Sequence, residues 1–459
     1  MLDLGLLLAQ LIVILLAARL IGRVVRLVGQ AAVIGELIAG LALGPSVLGT
    51  VAPGAMQALF PATKMLPLAT LSQLGVILFM FVVGLRLDIS VLRSKASAAV
   101  AVSHASIVAP FLLGIAIAKL LHPDLAPTGV SFLPFALFMG AAMSITAFPV
   151  LARILEERNL LTSRVGSIAI AAAAVDDATA WCILAAVLAF ANATIGHDTS
   201  GSGWTTFAIT LSSTVAFVLT AALVLRPALA AWLRAALAAC ERANKQASEF
   251  VGAPVVSVAV VAALVFALIT EKLGVHALFG AFVAGAIVPR STVALRNASG
   301  RASGERASPH LAESIADRLD SVVSAVLLPV FFAFTGLRTS VGLISGAGLW
   351  AVFALVLLVA VVGKIGGAAT AAKLTGMSWR DALTVGALMN TRGLMELVIL
   401  NVGLDIGVIS PALFAMMVLM ALVTTVMTSP LVAWIYRAPE RATANVLPDD
   451  ASLSKPRRA

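Results

Sequence analysis

Apolar runs long enough to cross a bilayer recur from one end of this 459-residue chain to the other, and they leave it few ways to fold. A helix needs about 20 residues to span the hydrocarbon core. No water is available there for backbone N–H and C=O groups, so a spanning segment must satisfy them internally. The runs fall at roughly 4–25, 31–50, 68–87, 96–121, 132–153, 163–193, 204–233, 250–270, 274–290, 319–337, 345–372, 382–403 and 407–436. The expected fold class is an all-α polytopic membrane protein with about thirteen transmembrane helices. Composition agrees, with 61% hydrophobic residues, 12% charged residues and a mean hydropathy of +1.05, far from a soluble domain. The first run is too long, and too quickly followed by others, to be a cleaved signal peptide. Cys182 and Cys240 both lie in expected helices, which excludes a disulfide framework and a thiolate metal site.

The formal net charge of +9 reports orientation, not a nucleic-acid partner. If the runs alternate and the N-terminus lies outside, the outer loops hold only Lys64, Lys119, Lys272 and Arg338. Arg19, Lys364 and Arg392 lie within runs, and every other Lys and Arg falls on the opposite side. Positive charge collects on the cytoplasmic side, so the C-terminus is expected there. The basic, Ser/Gly-rich loop from Arg290 to Arg318 reads as a cytoplasmic linker touching anionic lipid. The stretch 226–242 reads as an interfacial continuation of the seventh run.

One run carries two adjacent carboxylates, Asp176 and Asp177, between Val165 and Phe190. A single carboxylate at membrane depth costs about 2.5–3.5 kcal/mol on insertion scales, and two like charges cost more. Such residues face a water-filled cavity or a buried partner and mark an ion or proton path. Lys364, well inside the run 345–372, is the natural counter-charge for one or the other; snorkelling to the interface is the competing reading. Arg392 and Glu396 are four apart on one helix face and can neutralise each other and nearby helix dipoles.

The chain also repeats itself upside down. Gly35-Glu-Leu-Ile-Ala-Gly40 in run 2 is echoed by Gly280-Ala-Phe-Val-Ala-Gly285 in run 9, and Gly84-Leu-Arg86 by Gly336-Leu-Arg338. Seven runs separate each pair, so the second copy crosses in the opposite direction, as in many secondary transporters. Those proteins bind substrate where helices break at matching points of the two halves. Run 5 contains Ser144-Ile-Thr146-Ala-Phe-Pro149, in which Pro149 removes a backbone donor and the hydroxyls of Ser144 and Thr146 can satisfy freed groups. At the repeat-related point, run 12 reads Asn390-Thr391-Arg392-Gly393-Leu-Met-Glu396.

These motifs, together with Gly29-Gln30 through Gly49, Val175-Asp-Asp177 and His276 through Arg290, resemble the monovalent cation:proton antiporter-2 family. The resemblance runs from run 1 to about Arg437. It implies a bacterial inner-membrane homodimer embedded in lipid, exchanging Na⁺ or K⁺ for H⁺, with no cofactor. It also implies an elevator-like core (about 96–193 and 345–436) moving against a dimerisation part (about 4–87 and 204–337). By the same resemblance, Asp177 matches the aspartate that binds cation and proton, and Asp176 the neighbour that pairs with the core lysine, here Lys364. The paired form is implied to run electrogenically. The tail 438–459 is polar and short, which leaves a fused nucleotide-binding regulatory domain unexpected.

A carboxylate out of water is more stable holding a proton or a cation than bare, so one aspartate exposed to each side in turn would couple the two. Oxygen atoms from Ser144, Thr146 or broken-helix carbonyls suit a hard monovalent ion. A cation channel and a proton- or sodium-coupled organic-ion symporter are the competing classes. No phosphate loop, zinc-ligand spacing or nucleophile elbow is present, and an enzyme is not expected. His104 and His276 read as satisfied core histidines.

Overall fold

The computed structural model describes residues 3–30, 32–86, 96–158, 160, 163–194, 202–243, 253–274, 276–289 and 311–436. Their regular structure is entirely helical. The first half contains α1 (Leu4–Leu27), α2 (Ala32–Leu43), α3 (Leu66–Arg86), α4 (Ala96–Leu125), α5 (Phe132–Ser144), α6 (Phe148–Glu157) and α7 (Arg164–Thr194). Then follow α8 (Ser202–Thr220), α9 (Arg226–Ala243), α10 (Ala253–Lys272), α11 (Ala277–Ile287), α12 (Leu311–Val322) and α13 (Leu328–Leu337). The chain ends in α14 (Gly346–Leu374), α15 (Trp379–Met389), α16 (Leu394–Asp405) and α17 (Pro411–Ile435). Among the described residues, ten helices are long and apolar enough to cross a membrane by length and composition; α5 and α11 are shorter apolar helices. The basic segment 290–310 and the tail 437–459 lie outside the described residues.

Local chemistry sets the ends of these helices. Asp3 caps α1 by accepting from the Leu6 N–H at 3.1 Å, and α1 stops where Gly29 takes φ +72°, the left-handed position that glycine adopts without a Cβ clash. Ser410 caps α17, with Pro411 in the first turn, where a missing N–H costs nothing. The stretch 226–242 continues α8 through a π-helical turn at Ala221–Leu225, and a second π-turn at Val323–Leu327 joins α12 to α13.

The outside of the molecule is apolar. Leu4, Leu8, Ile12, Leu16, Leu20 and Val24 form an exposed stripe on α1 at a spacing of four, while the buried charged side chains lie deep in the interior. That inside-out distribution suits a bilayer. Among the described residues α4 packs mainly on α5 and α14, and α3 on α11 and α13, while α7 packs on both α4 and α8.

Two of the helix crossings that need glycine are related by the repeat. Gly40 of α2 meets Gly336 of α13, and a Cβ on Gly40 would lie 2.6 Å from Phe332 O. Gly84 of α3 meets Gly285 of α11, and a Cβ on Gly84 would overlap Phe282 O. The sequence repeat equates Gly40 with Gly285 and Gly84 with Gly336, so each crossing is the image of the other. Gly84→Val will therefore abolish a monodisperse peak in size-exclusion chromatography. Gly366→Ala, at a helical site with nothing within 4 Å of the added Cβ, will keep that peak and gain about 1 kcal/mol of helix propensity.

Candidate ion-binding site at the crossing of two broken helices

Two helices stop at mid-course, and their broken ends cross. The first break is residues 145–147, between α5 and α6; the second is residues 390–393, between α15 and α16. Ala147 N–H donates to Thr391 O at 2.9 Å, and Thr146 Oγ1 donates to Met389 O at 3.2 Å. Gly393 lets the strands approach, since a Cβ there would lie 3.0 Å from Val150 Cγ2. Pro149 was expected to disfavour helix just before it. It occupies the first turn of α6, directly after the break, where its missing N–H is one of the groups a helix start leaves unbonded anyway.

The C-terminal end of α5 carries unsatisfied carbonyls and the negative end of a helix dipole, and two cations meet it. Arg392 donates to Ala142 O at 3.2 Å and Met143 O at 2.7 Å, and its Nη1 also bonds Glu396 Oε1 at 2.9 Å. Lys364 comes from α14 and bonds Ser144 O, Thr146 Oγ1 at 2.7 Å and Asp176 Oδ2 at 3.1 Å. All three ammonium donors are thus used, and the side chain is fully buried, so it does not snorkel.

The adjacent carboxylates have different surroundings. Asp176 faces α4 and α14, accepting from Ser106 Oγ at 3.0 Å as well as from Lys364. Asp177 accepts from the N–H of Phe148, the first residue of α6, so a helix N-terminus points at it. Among the described residues Asp177 forms no ion pair, although it is almost fully buried. One carboxylate is therefore locked into the scaffold, and among the described residues the other is held by a backbone N–H.

The hydroxyls expected as ligands are already engaged. Ser144 Oγ lies within donating distance of Gly140 O (2.7 Å) and Ile107 O (3.1 Å), and Thr146 Oγ1 bridges Lys364 and Met389 O. Thr391 Oγ1 donates to Leu388 O at 2.7 Å. Asn390 is fully buried, and neither end of its amide has a partner among the described residues. Ser106 and the Phe148 N–H were not anticipated; Ser103-x-x-Ser106, two hydroxyls one turn apart in an apolar run, was the available signal.

A second polar region is separate from the acidic pair. A cavity of about 150 Å³ lies between α3, α10, α11, α13 and α16. There Arg338 bonds Asp405 at 2.7 Å and Asn401 at 3.2 Å, and Asn401 donates to Thr335 Oγ1 at 2.8 Å. These contacts tie α13 to α16. His276 caps α11, its Nδ1 accepting from the Leu278 N–H at 3.4 Å. His104 is exposed, not in the core as expected, and bonds Val100 O within its own helix at 2.9 Å.

The model of the transmembrane sodium/hydrogen exchanger family matches residues 11–437. The Na(+)/H(+) antiporter NhaS4 of Synechocystis is 40% identical over 435 residues, covering 95% of this chain and 98% of that protein. Cation/H(+) antiporter 17 of Arabidopsis thaliana is 38% identical over 438 residues, 95% of this chain but 49% of the plant protein, so this chain spans about half its length. The solved structure of the sodium proton antiporter MjNhaP1 from Methanocaldococcus jannaschii superposes with a TM-score of 0.61, covering 94% of this chain and 97% of that one. At 16% identity, that likeness speaks for the fold alone.

Proposed function

The chain belongs to the transmembrane sodium/hydrogen exchanger family, and we propose that it is a cation/proton antiporter working by alternating access at Asp177. The observation that carries the reading is the asymmetry of the acidic pair. Asp176 is committed to Lys364 and Ser106, whereas Asp177 holds one backbone N–H and no cation among the described residues. A buried carboxylate in that position takes up a proton or a monovalent cation, and the two exclude each other. Na⁺ and K⁺ are the candidate cations, with Ser144 and Thr146 shaping the site through their bonds to Lys364.

Access to alternate sides comes from α4–α7 and α14–α17 moving against α1–α3 and α8–α13, with the Arg338–Asp405 bridge released as they part. The protein works as a homodimer in a bacterial inner membrane, with its C-terminus in the cytoplasm. Its lipid-facing surface is the apolar exterior described above.

Purified protein in liposomes will dissipate an imposed pH gradient only when a transported cation is added, with Na⁺, K⁺ and Li⁺ tested separately. A proton gradient will also drive the cation uphill, which a channel cannot do. Protons and cation compete, so half-saturating cation concentration will rise as pH falls, by about tenfold per unit once Asp177 is mostly protonated. A half-saturation independent of pH would remove competition at a single carboxylate.

A further inference from the structure

We propose that the side-chain oxygen of Asn390 is a neutral ligand of the transported cation and helps to set which monovalent ion is preferred. The inference rests on the reading of Asp177 as the charged ligand. A monovalent cation that sheds part of its hydration shell needs oxygen atoms in return, as rings of carbonyl oxygens provide in ion-selective pores. Three buried side-chain oxygens have no hydrogen-bond partner among the described residues: Ser103 Oγ, Glu396 Oε2 and Asn390 Oδ1. Ser103 belongs to α4 and to neither broken segment, and Glu396 is already paired with Arg392 through its other oxygen. Asn390 is the neutral candidate at the crossing itself.

Its position in the chain places it beside the acidic site. Met389 O accepts from Thr146, and Thr391 O accepts from Ala147 N–H, so both neighbours of Asn390 are bonded to the first break. The next residue after Ala147 is Phe148, whose N–H holds Asp177. Asn390 itself ends α15, its backbone N–H bonding Gly386 O at 3.1 Å. Its backbone is therefore fixed while its amide is left unbonded. A buried amide with neither end bonded is costly unless the site is built to receive something. A cation on the oxygen and a water on the nitrogen satisfy both ends. Because Asp177 already supplies the charge, a neutral oxygen affects the fit to ion size more than the competition with protons.

The test compares wild type with Asn390→Ala, Asn390→Ser and Asn390→Asp in liposomes, using Na⁺, K⁺ and Li⁺ chloride separately, beside Asp177→Asn. Melting temperature of the detergent-purified proteins is recorded with and without each salt. Asn390→Ala is expected to raise half-saturating cation concentration about tenfold, unequally among the three ions, with maximal turnover falling less than about twofold. It is also expected to lose the cation-induced rise in melting temperature. Asn390→Asp, which restores an oxygen, will recover affinity. If Asn390→Ala does not fold, Asn390→Ser carries the same comparison. Unchanged half-saturation for all three ions, or an equal loss for all three with a lowered melting temperature in their absence, would overturn the inference and leave Asn390 a structural or water-binding residue. If Asp177→Asn is inactive and Asn390→Ala behaves as wild type, only this inference fails. Exchange by Asp177→Asn removes the reading beneath it.

Discussion

Asp177→Asn protein in liposomes will not dissipate a pH gradient on addition of Na⁺, K⁺ or Li⁺, and it will remain folded. The amide oxygen still accepts the Phe148 N–H, so the contact at the start of α6 survives. What disappears is the charge: an amide neither releases a proton nor balances a cation. Exchange is expected to fall to the background of empty liposomes, while melting temperature holds or rises, since a buried group that ionises has been replaced by one that does not. Coupled exchange by a folded Asp177→Asn protein would displace Asp177 from the centre of the mechanism.

Lys364→Ala will show the largest loss of stability of any single change at the site. Removing the ammonium leaves Asp176 without its counter-charge and deprives Ser144 O and Thr146 Oγ1 of a donor. Breaking a buried pair from one side typically costs about 3–5 kcal/mol, more than deleting both charges. Asp176→Asn introduced into that background will recover part of the loss. Full recovery is not expected, because two acceptors on the first break remain unmet. A double-mutant cycle of thermal unfolding in detergent checks this. Additive losses would mean that the 3.1 Å contact contributes no coupling.

Much of this architecture is readable in the chain, because a bilayer permits so little else. Hydropathy locates the helices, and the clusters around Ser144 and Asn390 mark the two breaks. The repeat of Gly40 and Gly84 at Gly285 and Gly336 anticipates two symmetric crossings. The division of labour between Asp176 and Asp177 is not readable, since adjacent residues on a helix differ only by a rotation of about 100°. Which of them faces Lys364 depends on how α4, α7 and α14 pack. The partner of Asp177 is a backbone N–H, and a backbone donor has no residue signature. Pro149 marks a helix boundary in the sequence, and in the structure it stands in the first turn of α6, just after the gap. The hydroxyls of Ser144 and Thr146 look like ligands in a list of residues, and only the packed structure shows how they are already engaged.

The buried ionisable side chains have a consequence for valence. Among the described residues they are Asp176, Asp177 and Glu396 against Lys364 and Arg392. With all five charged, the interior is one unit negative. A single proton on Asp177 brings the sum to zero, and so does a single Na⁺ or K⁺, a one-for-one balance that departs from the electrogenic exchange the resemblance implies. A divalent ion would leave it one unit positive, and a return journey with nothing aboard would leave it negative. Either imbalance costs several kcal/mol per uncompensated ion in a medium of low dielectric. On the proposed mechanism, this arithmetic alone disfavours both futile slippage and the carriage of Mg²⁺ or Ca²⁺, without any steric filter.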